Sequence, residues 1–263
     1  MVEGGAPLGQ RPADRAMALV IDAGEAMLKN GGEVFRAQAT MEIMARSLGI
    51  AGFHVYVLSN GIFASAADDS LNAIRHVPSV SIHLGRVEAI NAISRKLAEG
   101  TLNLETARAA LDEAIAIPPY GLHTQLLAGG IGSGCFAMLF GGGVPEMIVA
   151  ALAGFLETLL VQQLRGRGIS RIFTDVTAAM ACTLLSVGCT ALYQPLETSI
   201  AIIGALMVLT PGVALTTGIR DIINADYLSG TIRLVDALLV AGCLAIGVAL
   251  AYLLATSFAG VVL

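Results

Sequence analysis

Beyond Leu126 charged side chains become sparse, and five apolar stretches can be drawn there, at about 123–142, 145–164, 172–193, 198–217 and 232–257. Each lies close to the roughly 20 residues an α-helix needs to cross the hydrocarbon core of a bilayer. Backbone in lipid must satisfy its own hydrogen bonds, which leaves helices as the spanning element for stretches of this length. Composition agrees, with 56% of residues hydrophobic and 13% charged, against about 25% charged in ordinary soluble domains. Mean hydropathy is +0.77. The bias is local, because Arg, Lys, Asp and Glu are dense from Arg11 to Glu113. The sequence therefore predicts a membrane all-α bundle of five transmembrane helices over 121–263, preceded by an N-terminal cytosolic α/β head over 1–120.

The connections between the stretches carry the orientation. "RGRGISR" holds Arg165, Arg167 and Arg171, and the fourth-to-fifth connection holds Arg220 and Arg233. "GGGVPE" and "YQPLE" hold no Lys or Arg. The positive-inside rule places the basic connections in the cytoplasm, with the head inside and the C-terminus outside. "MVEGGAPLGQ" has neither the basic start nor the apolar run of a signal peptide, so the head is expected to stay where it is made. A net charge of −5 without a basic stripe speaks against nucleic acid as a partner.

In the head, helices are expected over Asp14–Lys29 and Glu33–Ser47, then from about His83 to Ala98, and again from the cap Asn103 with Thr106 in its first turn. The first would bury Ala18, Ile21, Met27 and Leu28, and the second Phe35, Ala39, Ile43 and Met44. Between the two pairs the period changes to two. Phe53–Ser59, Ile62–Ala67 and Asn72–Val77 read as a meander with Asn60-Gly61 as its first turn. "IPPYG" (Ile117–Gly121) ends the head. His54, His76, His83 and His123 lack metal-ligand spacing, and no P-loop, dinucleotide or nucleophile-elbow fingerprint is present. Cys135, Cys182, Cys189 and Cys243 form no CxxC and read as small buried hydrophobes. "GGIGSG" (Gly129–Gly134) supplies Gly130-xxx-Gly134, which suits close helix packing better than ligand binding. No cofactor or metal is expected.

Within "LTPGVALTTGIRDIINADYLSG" (209–230), Pro211 removes a backbone donor and Gly212 would let the chain turn. The break admits two readings. It could open a helix at membrane depth and offer its ends to a substrate, or it could merely begin the cytoplasmic connection. Glu157, in "AGFLETLLV", is expensive in a span and reads either as a proton-coupling group or as a hydrogen bonder between helices. Asp175 and Asp236 stand near the cytoplasmic ends of their spans, where solvation accounts for them as well as coupling does. Glu146 and Glu197 read as helix-start carboxylates.

"NGGEVFRAQATMEIMARSLG", "LGRVEAINAISRKLAEGTLNLETARAALDEA" and "PGVALTTGIRDIINADYLSGTIRL" together resemble the threonine/serine exporter family over nearly the whole chain. The form resembled is the large subunit of its two-component exporters, including the succinate-linked type. That resemblance implies an inner-membrane exporter of small polar metabolites, oligomeric, with a separate small membrane subunit supplying a second bundle of spans. By position it marks Pro211, Gly212, Arg220, Asp221, Asp226 and Gly230 in the tail, and Gly31, Gly32, Glu33 and Arg36 in the head. Thr217 stands where the family pattern has Asn, and Gln38 where it has an acidic residue.

The resulting expectation is a non-enzymatic transporter subunit for threonine/serine-type amino acids or a dicarboxylate such as succinate, coupled to protons. Pro211, Gly212, Thr217, Arg220, Asp221 and Asp226 would form its pathway or gate, and Glu157, Asp175 and Asp236 would be the coupling candidates. The alternative is a membrane-anchored sensor whose head binds a small ligand. An intramembrane enzyme finds no paired Asp, HExxH or Ser-His arrangement.

Overall fold

The computed structural model describes residues 11–67, 71–77, 81–193 and 195–259. The segment read above for a signal peptide, and the C-terminal end whose side of the membrane was expected, lie outside the described residues. The chain divides into two compact units. One holds residues up to Pro119 together with Thr217–Arg233, and the other holds Tyr120–Thr216 with Leu234 onward. The segment 217–233, read above as a connection in the membrane half, thus belongs to the head unit.

The head unit begins with α1 (Pro12–Lys29) and α2 (Val34–Ser47). Pro12 sits in the first turn of α1, where its missing N–H costs nothing. Asp14 in that turn and Lys29 in the last complement the helix dipole. After Asn30, Gly31 takes φ +83°, a left-handed conformation open to glycine, and the Gly32 amide donates to Met27 O at 2.8 Å. On α1, Ile21, Met27 and Leu28 are buried as expected, while Ala18 is exposed. On α2, Phe35 and Ile43 are exposed, while Val34, Ala37, Thr40, Met41, Met44 and Ala45 are buried. Both choices of face satisfy the helical period, and the packing partners decide between them.

An antiparallel meander follows, β1 (His54–Leu58), β2 (Gly61–Ser65) and β3 (Asn72–His76), in the order β1-β2-β3. Leu58 pairs with Gly61, so the two-residue turn is Ser59-Asn60, one position earlier than expected, and Gly61 opens β2. Val57, Ile62 and Ala64 point into the core shared with α1 and α2. α3 (Leu84–Ala98) and α4 (Leu104–Ala116) close the unit. Asn103 caps α4 by accepting from the Thr106 amide at 2.9 Å, and the Thr106 hydroxyl accepts from the Asn103 amide in return.

The second unit contains α5 (Leu122–Leu139), α6 (Val144–Gly166), α7 (Arg171–Leu192), α8 (Thr198–Leu206), the start of α9 (Gly212–Ile223) and most of α10 (Tyr227–Ala259). Among the described residues three helices are long and apolar enough to cross a membrane: α6, α7 and α10 over Tyr227–Ser257. They coincide with the second, third and fifth expected spans. The first coincides with α5, 18 residues rich in glycine. The fourth is not one helix. α8 ends at Leu206, a turn covers 207–209, and α9 starts after Pro211.

α5 and α6 pack through small residues. A β-carbon on Gly130 would stand 3.1 Å from Ala151 O, and one on Gly134 would stand 3.1 Å from Met147 O. "GGIGSG" is therefore a helix-packing surface. Glu146 fixes the start of α6, its carboxylate accepting from the Gly143 amide at 2.8 Å and from the Glu197 amide at 2.9 Å. Of the four cysteines, all free thiols, Cys182 and Cys243 are buried but Cys135 is exposed, so it is not the buried hydrophobe expected.

Candidate functional site

Four charged residues assemble within the head unit from distant parts of the sequence. The Gly31-Gly32 turn stops α1, and a side chain on Gly32 would collide with Met27 O at 2.8 Å. Glu33 is thereby set at the N-cap of α2. Opposite it lies 217–233, folded as the second half of α9, a turn at Ala225 with φ 65°, and the first turns of α10. Gly230 allows that fold, since a β-carbon there would stand 2.8 Å from Gly218 O. Asp226 holds the corner, its Oδ1 accepting from the Ser229 amide at 3.3 Å.

Two ion pairs result. Arg220 Nη1 donates to Glu33 Oε1 at 2.9 Å. Arg233 Nε lies 3.2 Å from Asp221 Oδ2, an ion contact rather than an aligned hydrogen bond. The pairs differ in burial. Arg220 is 55% exposed and Glu33 20%, whereas Arg233 is 17% exposed and Asp221 4%. Arg233 also donates to Thr217 Oγ1 and to Gly32 O, each at 3.4 Å. One guanidinium thus joins the glycine turn of the head, the middle of α9 and the start of α10.

Burial is the main reason the Asp221 carboxyl is held above its ordinary value of 3.8, and Asp226 and Glu33 add to it against Arg233 and Arg220. A carboxyl raised in the folded state keeps its proton longer there than in the unfolded chain. Stability therefore falls as pH rises from 3.8 through the folded value, then levels off. In Asp221→Asn this component is absent. The wild-type-minus-variant difference in Tm should decline above pH 3.8 and flatten, and a difference constant across that range would contradict the assignment.

The second unit has its own charged set. Glu157 on α6 is fully buried, and neither carboxylate oxygen has a hydrogen-bond partner among the described residues. Asp175 is buried between Arg165 Nη2 at 3.1 Å and Arg171 Nε at 3.6 Å. Arg171 Nη1 also reaches Asp236 at 3.1 Å. Arg165, Asp175, Arg171 and Asp236 make one chain of ion pairs joining the end of α6, the start of α7 and α10.

A family profile described as "Putative threonine/serine exporter" (ThrE) matches residues 18–255. The chain belongs to the threonine/serine exporter family. Among curated proteins it is similar to the "Threonine/serine exporter" of Corynebacterium glutamicum, 23% identical over 244 residues that cover 89% of this chain and 50% of that protein. It is also similar to the "Probable threonine/serine exporter" of Mycobacterium tuberculosis (strain ATCC 25618 / H37Rv), 24% identical over 242 residues, 89% of this chain and 45% of that one. The chain spans about half the length of the curated relatives it matches. No solved structure matches it.

In this threonine/serine exporter family member the residues singled out in the sequence fall into three groups. Gly31, Gly32, Glu33, Thr217, Arg220, Asp221, Asp226 and Gly230 all lie in the head unit with 217–233, and Arg36 stands 3.8 Å from Glu33 at the edge of the same cluster. Glu157, Asp175 and Asp236 lie in the second unit. Pro211 and Gly212 form the break before α9. Gly212 does not adopt positive φ, and a β-carbon on it would meet no atom within 4 Å, so the turn needs no glycine there. Gln38, one of the two departures from the family pattern, bonds Glu42 on its own helix at 3.0 Å. Thr217, the other, touches Arg233. From the sequence alone Arg233 reads only as a topogenic charge. The available signal was its place in "SGTIRL", three residues after Gly230 and thus one helical turn from the corner.

Proposed function

We propose that this chain is a subunit of an inner-membrane exporter of small polar metabolites, taking threonine/serine-type amino acids or a dicarboxylate such as succinate and coupled to protons. Glu157 carries the reading. A carboxylate with no hydrogen-bond partner among the described residues, fully buried on an apolar helix, is too costly to keep for packing alone and supports a proton or substrate path. Asp175 and Asp236 have arginine partners, which fits them as latches of the cytoplasmic ends rather than carriers.

The break before α9 supports the same reading. Nine residues of α8 rise only about 14 Å at 1.5 Å per residue, less than half of a core about 30 Å thick. Such half-spans are tolerated where protein or a water-filled cavity surrounds the freed backbone groups. With Arg165, Arg167, Arg171, Arg220 and Arg233 in the basic connections, the head faces the cytoplasm and the C-terminus the other side. Pro211, Gly212, Thr217, Arg220, Asp221 and Asp226 would line or gate the pathway. The resemblance of the chain's motifs to the large-subunit form supports a small membrane partner supplying the second bundle.

The test is efflux from proteoliposomes holding the chain with and without that small subunit, preloaded with labelled threonine, serine or succinate under a pH gradient. Gradient-driven efflux is expected only with the partner present. Glu157→Gln should abolish the response to the gradient while leaving the protein folded. Full proton-driven efflux by that variant would remove the coupling role, and no efflux of any compound from folded complex would remove the exporter reading.

A further inference from the structure

The head unit holds a second polar feature, away from the Arg233 cluster: a cleft of about 410 Å³ between α1, α3 and α4. That volume lies within the roughly 300–1,000 Å³ of small-molecule sites. Its charges are arranged by wall. α1 presents Asp22 and Glu25 with Lys29 on one face, while α4 contributes Arg108 and α3 Arg86.

Arg86 is fixed in place. Its Nε and Nη2 donate to Ile117 O at 2.9 and 2.5 Å, and Nη1 reaches Asn30 Oδ1 at 3.3 Å. Asn30, itself buried, donates to Ala26 O at 2.7 Å. Arg108 instead closes the cleft by donating to Asp22 Oδ2 at 2.5 Å. That pair is open to solvent, with Arg108 44% and Asp22 27% exposed, so its internal bond adds little and can be exchanged for a ligand at low cost. Arg75 of β3 stands 3.6 Å from Glu25 and 3.9 Å from Asp22. Lys29 pairs with Glu25 at 2.6 Å and Arg108 also reaches Asp112 of its own helix at 3.2 Å. Four cations thus stand against three carboxylates, a local excess of one positive charge in a chain of net charge −5.

We propose that this cleft binds a small amino acid as its zwitterion, the carboxylate on Arg108 and Arg86 and the ammonium on Asp22 and Glu25. The positive excess recruits a carboxylate, and the acidic α1 wall selects for a neighbouring ammonium. A dicarboxylate or phosphate would press its second negative charge against Asp22 and Glu25. The site would let the head sense the cytosolic pool of the compound that the membrane unit exports; this choice of ligand rests on the exporter reading.

Calorimetric titration of the full chain in detergent with L-threonine, L-serine, succinate and inorganic phosphate tests it. Threonine or serine should bind, and Arg108→Gln and Asp22→Asn should each weaken binding at least tenfold with an unchanged unfolding temperature. Arg15→Gln breaks the exposed Arg15–Glu105 pair outside the cleft and should leave affinity as it is. Tighter binding of succinate or phosphate, binding indifferent to both cleft variants, or no binding of any of the four would each overturn the proposal. Efflux measured on the same preparations separates the two readings. Efflux without cleft-dependent binding sinks the cleft alone, while cleft-dependent binding without efflux of any compound sinks the exporter and leaves the cleft.

Discussion

Arg233→Met should lower the stability of the folded chain by about 3–5 kcal/mol, the cost of removing one partner of a buried ion pair. The methionine keeps much of the side-chain volume, so the loss comes from the charge. Asp221 would be left 4% exposed without its counter-ion, and Thr217 Oγ1 and Gly32 O would each lose a donor. The double variant Asp221→Leu with Arg233→Met should recover most of the loss, because a neutral apolar pair of similar volume pays no desolvation. The outer pair provides the contrast. Arg220 is 55% exposed, and Arg220→Gln should cost less than about 1 kcal/mol. Denaturant unfolding of the detergent-solubilised chain measures all three. Equal losses for Arg233→Met and Arg220→Gln would mean that the inner pair is as solvated as the outer one and does not hold 217–233 in the head unit.

The reach of the sequence can be traced through the same residues. The helices of the head were legible because stop signals and caps act locally. Asn30-Gly31-Gly32 ends α1 by its own backbone geometry, and Asn103 with Thr106 starts α4 through bonds three residues apart. Which face of α2 is buried was not legible. Phe35 and Ile43 satisfy the helical period as well as Val34 and Met41 do, and only the placement of α1 and the sheet chooses between them. The same limit hid the site. Glu33 and Arg220 are separated by 187 positions, and nothing in the local pattern of either predicts the other. The family resemblance marked both ends of that contact but left out Arg233, because a lone arginine at the mouth of an apolar run is read first for topology. The break at Pro211 was visible in the sequence, while the shortness of α8 behind it shows only in the fold.

Gly154→Ala should damage the α5–α6 contact of the second unit. Its β-carbon would stand 2.6 Å from Ser133 Cβ and 2.9 Å from Gly129 O. The second of these is backbone of α5, which cannot rotate away as a side chain can. α5 and α6 would have to separate, and separation would also loosen the Ser133 hydroxyl from Ala205 O, to which it donates at 3.2 Å. Overpacking of this kind costs about 1–3 kcal/mol. Gly132→Ala is the internal control, on α5 with no atom within 4 Å of the added methyl. There alanine should be neutral or gain up to about 1 kcal/mol through its helix propensity. The comparison isolates packing from propensity, because both changes put the same residue into a helix of the same bundle. In lipid no hydrophobic drive holds helices together, so the close approach made by these glycines is itself a large part of what binds α5 to α6. Gly154→Ala should therefore lower the unfolding temperature. If Gly154→Ala and Gly132→Ala unfold alike, the glycines of α5 serve something other than packing, and "GGIGSG" returns to the ligand-binding reading.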